Sequence, residues 1–223
     1  MRNLEKILKK VEGEIKNTFS SDSSGHDFYH LRRVSNLALR IQEKEGGDEA
    51  VVAVAALLHD LHRIIQNKTS TYCSPEESLP QIKEILEKIG LDQKDFMRKV
   101  LSCIKLHEEY NFSSEGKTAK DIETLIIQDA DNLDAIGAIG IARVFSFGGV
   151  HSIPIWVPEV PLPTSEWSET SPKSVSQIHH FYEKLLRLKD NMNTKTGNEL
   201  AEGRHKFLED FLEEFFKEWE GKR

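Results

Sequence analysis

The chain has 223 residues, of which 30% are charged, and carries a net charge of −7. That length suits one domain with a substantial core, and the acidic balance excludes a general nucleic-acid binder, which concentrates basic residues on one face. Only two cysteines occur, so no disulfide framework is implied; Cys103 lies in an apolar run and is expected in the core, Cys73 in a polar loop at the surface.

The opening segment MRNLEKILKKVEGEIKNTF has no continuous apolar stretch, and nowhere does the chain approach the roughly 18 apolar residues of a membrane span. Neither secretion nor membrane insertion is expected, and the cytoplasm is the expected location. Helical periodicity dominates. A first helix is predicted over about Asn3 to Phe19, with Leu4, Ile7, Leu8, Val11 and Ile15 on one face, and the polar run SSDSSG ends it. Leu31, Val34, Leu37, Ala38 and Ile41 predict a second helix, closed by Gly46 and Gly47. Asp48 is placed to cap a third, EAVVAVAALLHDLHRII, whose apolar character all round predicts a central, buried position.

A polar loop from Asn67 to Ser78 precedes a helix predicted from about Leu79 to Gly90, and Asp92 or Gln93 opens the next, which carries Phe96, Val100, Ile104 and His107. DIETLIIQDADNLDAIGAIGIARVF reads as a single, nearly all-apolar helix interrupted by aspartates. Residues 148–172 hold five of the seven prolines and predict a long irregular loop. Loops of that length in a compact domain commonly serve function, and this one is expected beside the mouth of the site. Two late helices, about 175–192 and 195–220, complete an all-α chain, expected as one domain (1–223) with a core at about 20–145 and the helices of about 173–220 packed on it.

Ionisable residues stand in the two most apolar helices. His59 and Asp60 end the run VVAVAALL, where an unpaired buried carboxylate costs several kcal/mol. Asp129, Asp131 and Asp134 share the other run, and carboxylates so close raise one another's pKa unless a cation neutralises them. A divalent metal does this, and imidazole with carboxylate is an ordinary ligand set for Mn, Fe or Zn.

These segments resemble the HD-domain superfamily of metal-dependent phosphohydrolases. HDFYHLRRVSNLA is similar to its first ligand segment, ALLHDL to its His-Asp doublet, and DADNLDAIGAIGIARVFSFGG to the last-ligand segment of a narrower bacterial group of small hydrolases. HHFYEKLLRLKDNMNTKTGNELAEGRHKFLEDFLEEF extends the likeness, so that it spans residues 20–218. The resemblance implies an HD-domain helical bundle and a metal held by His30, His59, Asp60 and Asp131. Ala130-Asp131-Asn132-Leu133 fits the superfamily's A-D-x-L pattern; Asp129 is the alternative ligand. His26 and Asp27, one turn before His30, orient ligands or substrate, or cap the helix.

In several such enzymes acidic residues soon after the doublet activate water, but here Leu61, His62 and Arg63 follow it. Asp27 and Asp134 are therefore the candidate general bases. Arg33, Lys184 and Arg204 are candidate phosphate contacts, and His107 a candidate for substrate or a second metal. The narrower group implies a small phosphorylated substrate, with pyrophosphate release from a nucleoside triphosphate as the specific expectation. The implied cofactor is a divalent metal, Mn foremost, with Fe, Mg, Ni or Zn as alternatives. No nucleic-acid polymer or membrane is expected as a partner, and a homodimer is compatible with the sequence. The rival functions are a di-iron HD oxygenase, which needs further histidines, and a non-catalytic ligand-binding HD protein.

Overall fold

Helix α3 (Glu49–Leu58) buries every side chain from Val51 to Leu58, and the rest of the fold is arranged around it. Asp48 caps it, accepting from the backbone N–H groups of Ala50 and Val51. The structure, a computed structural model, describes residues 2–20, 22–69, 71–108, 120–163 and 174–223. No strand occurs among them, in accord with the all-α expectation.

Against α3 pack α1 (Arg2–Phe19), α2 (Phe28–Glu45), α6 (Lys94–Leu106) and α7 (Ile122–Asp134). The contacts of α2 with α3 and α7 are the most extensive, so the helices that carry His30 and Asp131 and the helix that leads into His59 are one packed unit. Between α3 and α6 in sequence come α4 (Leu61–Thr69) and α5 (Pro75–Lys88). Helix α5 starts earlier than the predicted Leu79: Pro75 opens it, and Ser74 and Glu77 form a reciprocal capping box. Cys73, just before it, is 4% exposed instead of lying at the surface, while Cys103 is buried as expected.

Two predicted helices are broken. The third ends at Leu58, and α4 restarts at Leu61 after a turn containing His59 and Asp60. The long apolar helix stops at Asp134, and α8 (Gly137–Val150) leaves at a 70° bend. Ile136 is extended there, and Gly137 has φ +75°, a left-handed conformation that disfavours side chains. A Cβ on Gly137 would also lie 3.1 Å from the side chain of Arg204. Periodicity runs on across the break, which is why the sequence read as one helix. Unlike α3 and α7, α8 is only partly covered, with Ile139, Phe147 and Val150 exposed. No single described helix is long and apolar enough to cross a membrane.

Because α8 continues to Val150, the irregular stretch begins at about residue 151, later than predicted; its residues 164–173 lie outside the described ones. The helix predicted over 175–192 is shorter. It is α9 (Gln177–Glu183) followed by two 3₁₀ turns, Leu185–Arg187 and Lys189–Asn191. Finally α10 (Lys195–Trp219) packs on α7, α8 and α2. Its start is anchored by Asp129, whose carboxylate accepts from the backbone N–H of Asn193 and Thr194 (both 2.8 Å) and from the Thr194 hydroxyl (2.7 Å).

Candidate metal centre

Side chains from α2, the α3–α4 turn and α7 converge in the core. His30 is fixed in the first turn of α2, where Asp27 accepts from its backbone N–H at 2.8 Å. His30 Nε2 lies 3.2 Å from Asp60 Oδ2 and 3.5 Å from Asp131 Oδ1, and His59 Nε2 lies 3.6 Å from Asp60 Oδ1 and 3.7 Å from Asp131 Oδ1. Both imidazoles and Asp60 are buried, whereas 19% of the Asp131 side chain is exposed. Donors bound at about 2.0–2.2 Å to a common ion are separated by about 3–4 Å, which matches these spacings.

The chemistry of the donors also fits a divalent cation. His59 Nδ1 donates to the Ala56 carbonyl (2.8 Å), and His30 Nδ1 to Asp134 Oδ2 (2.8 Å). In a neutral ring this leaves the Nε2 lone pair facing the centre. Both Nε2 atoms and Asp60 Oδ2 are buried without a hydrogen-bond partner, an arrangement that calls for an explanation and that a cation supplies. Burial works against charge throughout. Asp60 and Asp131 nevertheless outweigh it to raise His59 to about 9, and the imidazoles outweigh it to hold Asp60 and Asp131 well below the usual carboxylate range.

Asp134 sits behind His30. It is 1% exposed and receives Arg33 Nε at 2.8 Å, Arg33 Nη2 at 3.1 Å and Arg143 Nη1 at 3.1 Å as well as His30 Nδ1. Burial raises its carboxyl pKa, but these donors outweigh burial and hold it low. Such a carboxylate fixes the tautomer and orientation of a ligating imidazole.

The other residues singled out in the sequence fall in different places. Asp27 caps α2, and Asp129, with its oxygens taken up by residues 193 and 194, faces away from the centre. Arg33 is paired with Asp134. Arg204 donates to the Leu133 carbonyl at the end of α7. His107 is 1% exposed, its ring 5.1 Å from that of His59, and burial lowers its pKa to about 4. Lys184 borders a cavity of about 360 Å³, which His26, Arg63 and Arg143 also line. His26 brings this cavity to the centre, its ring 5.7 Å from that of His30. Gly148, in the last turn of α8, and Ile153, at the start of the proline-rich stretch, form part of its wall. Neither Asp27 nor Asp134 is among the described residues that line it.

Sequence reasoning missed Arg143, whose signal was a lone cation in the apolar run GIARVF. It also missed Glu108, which pairs with His62 (3.2 Å) and with Arg63. Burial raises the Glu108 carboxyl, but His62 and Arg63 outweigh it and bring it to about 2.

The HD-domain family profile matches residues 27–136, which span all four converging side chains. Protein YpgQ of Bacillus subtilis is 36% identical over 219 residues, covering 97% of this chain and 95% of its own. The chain belongs to the HD-domain family. A crystal structure of an HD-superfamily hydrolase from Bacillus thuringiensis superposes with a TM-score of 0.68 at 36% identity, over 98% of this chain and 97% of that one. The structure of Bacillus subtilis YpgQ in complex with ADP gives a TM-score of 0.71 at 32% identity, over 96% of both chains. This HD protein is a metal-dependent phosphohydrolase, and its His/Asp cluster is of the kind that holds a divalent metal.

Proposed function

We propose that this HD hydrolase cleaves a nucleoside triphosphate with release of pyrophosphate, acting in the cytoplasm as a one-domain enzyme. His30, His59, Asp60 and Asp131 hold the metal; their mixed nitrogen and oxygen donors suit Mn foremost, with Fe as the nearest alternative. The observation that carries the substrate class is the cavity beside the cluster. In a chain of net charge −7, Arg63, Arg143 and Lys184 all face it. Fixed cations beside a metal centre match the charge that builds on a transferring phosphoryl group. The cavity's volume lies within the range for small-molecule sites, and Tyr72 and Phe147 add flat apolar faces suited to a base. That YpgQ has been crystallised with ADP supports a nucleotide.

In this reading water attacks the α-phosphorus, the bond to the bridging oxygen of the β-phosphate breaks, and nucleoside monophosphate and pyrophosphate leave. A bound divalent ion lowers the pKa of water and withdraws charge from phosphorus. Arg143 and Lys184 bind phosphate oxygens, and Asp134 with Arg33 holds His30 in register. Asp134 is saturated with donors, so its part is positioning and not proton abstraction. The test is a screen of Mn-loaded protein against the nucleoside triphosphates, measuring pyrophosphate and orthophosphate separately. Pyrophosphate as the sole inorganic product is the expected result; orthophosphate alone, or no release from any nucleotide, overturns the substrate assignment.

A further inference from the structure

We propose that Gln177 reads the nucleobase of the substrate, its side-chain oxygen accepting a hydrogen bond from an exocyclic amino group of the base. The inference rests on the nucleotide reading of the preceding section and adds the feature of the base that the cavity selects. Gln177 is the first residue of α9, is 6% exposed and lines the cavity. Only one end of its amide is occupied. Nε2 donates to the Ile153 carbonyl at 2.9 Å, whereas Oε1 is buried without a hydrogen-bond partner. A carbonyl oxygen only accepts, so the bond to Ile153 fixes which end of the amide is nitrogen and which is oxygen. A buried acceptor left unsatisfied is destabilising and calls for an explanation, and a donor on the ligand supplies one.

The surroundings hold that amide in place. The backbone N–H of Gln177 donates to the Pro154 carbonyl at 2.9 Å, that of Ile178 to Ile155 at 3.0 Å, and that of Ile153 to Gly148 at 2.8 Å. The last turn of α8, residues 153–155 and the start of α9 are thereby tied together around one side chain. Gly148 leaves it room, since a Cβ there would lie 2.0 Å from Gln177 Nε2 and 2.2 Å from its Cδ. Arg143, assigned above to the phosphates, stands on the same helix about 7.5 Å earlier along the axis, and Phe147, beside Gly148, offers the base an apolar face. With Nε2 committed to Ile153, the amide presents an acceptor and no donor. The amino groups of adenine, guanine and cytosine project N–H hydrogens from the ring edge. The ring N–H of uracil or thymine is flanked on both sides by carbonyl oxygens, which a lone acceptor repels. A site whose buried polar group needs a donor rejects the analogue that lacks it.

The experiment measures kcat/KM for pyrophosphate release by the Mn-loaded, full-length protein on pairs of triphosphates that differ by one amino group. The pairs are ATP with purine riboside triphosphate, GTP with ITP, and CTP with 2-pyrimidinone riboside triphosphate. Wild type should favour the amino-bearing member of at least one pair by about 10- to 100-fold. Gln177→Met should treat the members of that pair alike and hydrolyse the amino-free one as wild type does, with thermal unfolding and Mn content establishing that it is folded and loaded. The wild-type comparison stands by itself if the variant does not fold. A loss by the same factor on both members would identify Gln177 as a brace for residue 153 and overturn the proposal. So would a preference that survives in Gln177→Met, or a wild type that handles both members of every pair alike, and either would leave the nucleotide reading standing. Pyrophosphate from none of the triphosphates would overturn that reading and this one together.

Discussion

Asp134 Oδ2 accepts from His30 Nδ1 at 2.8 Å, and the same carboxylate is gripped by Arg33 and Arg143. The orientation of a residue at the heart of the cluster is thus set by groups on α2, α7 and α8 together. Replacing Asp134 by Asn removes the charge and lets the amide turn a donor towards His30. Affinity for Mn²⁺ should fall about 10- to 100-fold, the usual consequence of losing such a partner. Titration of chelator-treated protein measures it; unchanged affinity would show that His30 needs no orientation by Asp134.

Lys184 borders the cavity at the end of α9. Lys184→Met keeps the stem and removes the charge. Turnover should drop on the order of 10²-fold, as for other lost transition-state electrostatic contacts, with metal content unaltered. Turnover within about twofold of wild type would make Lys184 a boundary residue of the core.

Asp129 acts on stability, not on metal. Its carboxylate is buried and ties α7 to the start of α10 through residues 193 and 194. Asp129→Ala leaves buried donors unsatisfied, and the expected loss is about 3 kcal/mol. Urea unfolding measures this, and Mn²⁺ affinity at temperatures where the variant is folded should match wild type.

Burial, with the charge of Lys184, lowers the His180 pKa from 6.5 to about 3. A histidine whose folded pKa is depressed takes up its proton first in the unfolded state. Its contribution to stability is therefore intact above about pH 6.5 and falls away as the pH drops towards 3, by at most about 1.4 kcal/mol per unit. Metal-free wild type should lose more stability between pH 7 and pH 5 than metal-free His180→Gln. Parallel pH profiles would show that His180 is solvated in the folded state.

Much of this was legible in the residues. The all-round apolar run Val51–Leu58 predicted a central buried helix, and the His-Asp doublet beside it gained meaning as a site from the joint pattern with His30 and the late aspartates. Asp131 could be told from Asp129 only through the family pattern, since periodicity gives no view of Asn193 and Thr194, the residues that occupy Asp129. The bend at Gly137 was hidden because apolar residues continue on both sides of it, and the close approach of Arg204, distant in sequence, that a side chain there would meet cannot be read from spacing. Arg143 left only the signal of a lone cation in an apolar run and Glu108 none, because each gains its meaning from partners elsewhere in the chain that spacing along one helix does not report.

The central claim is that the cluster of His30, His59, Asp60 and Asp131 binds the metal on which hydrolysis depends. His59→Ala removes one buried donor and leaves the cavity's cations in place. Metal content and pyrophosphate release should be measured on the same preparations of wild type and variant, with folding checked by circular dichroism. Loss of bound metal together with loss of hydrolysis is the expected result. A folded, demonstrably metal-free His59→Ala protein that releases pyrophosphate at the wild-type rate would contradict the account.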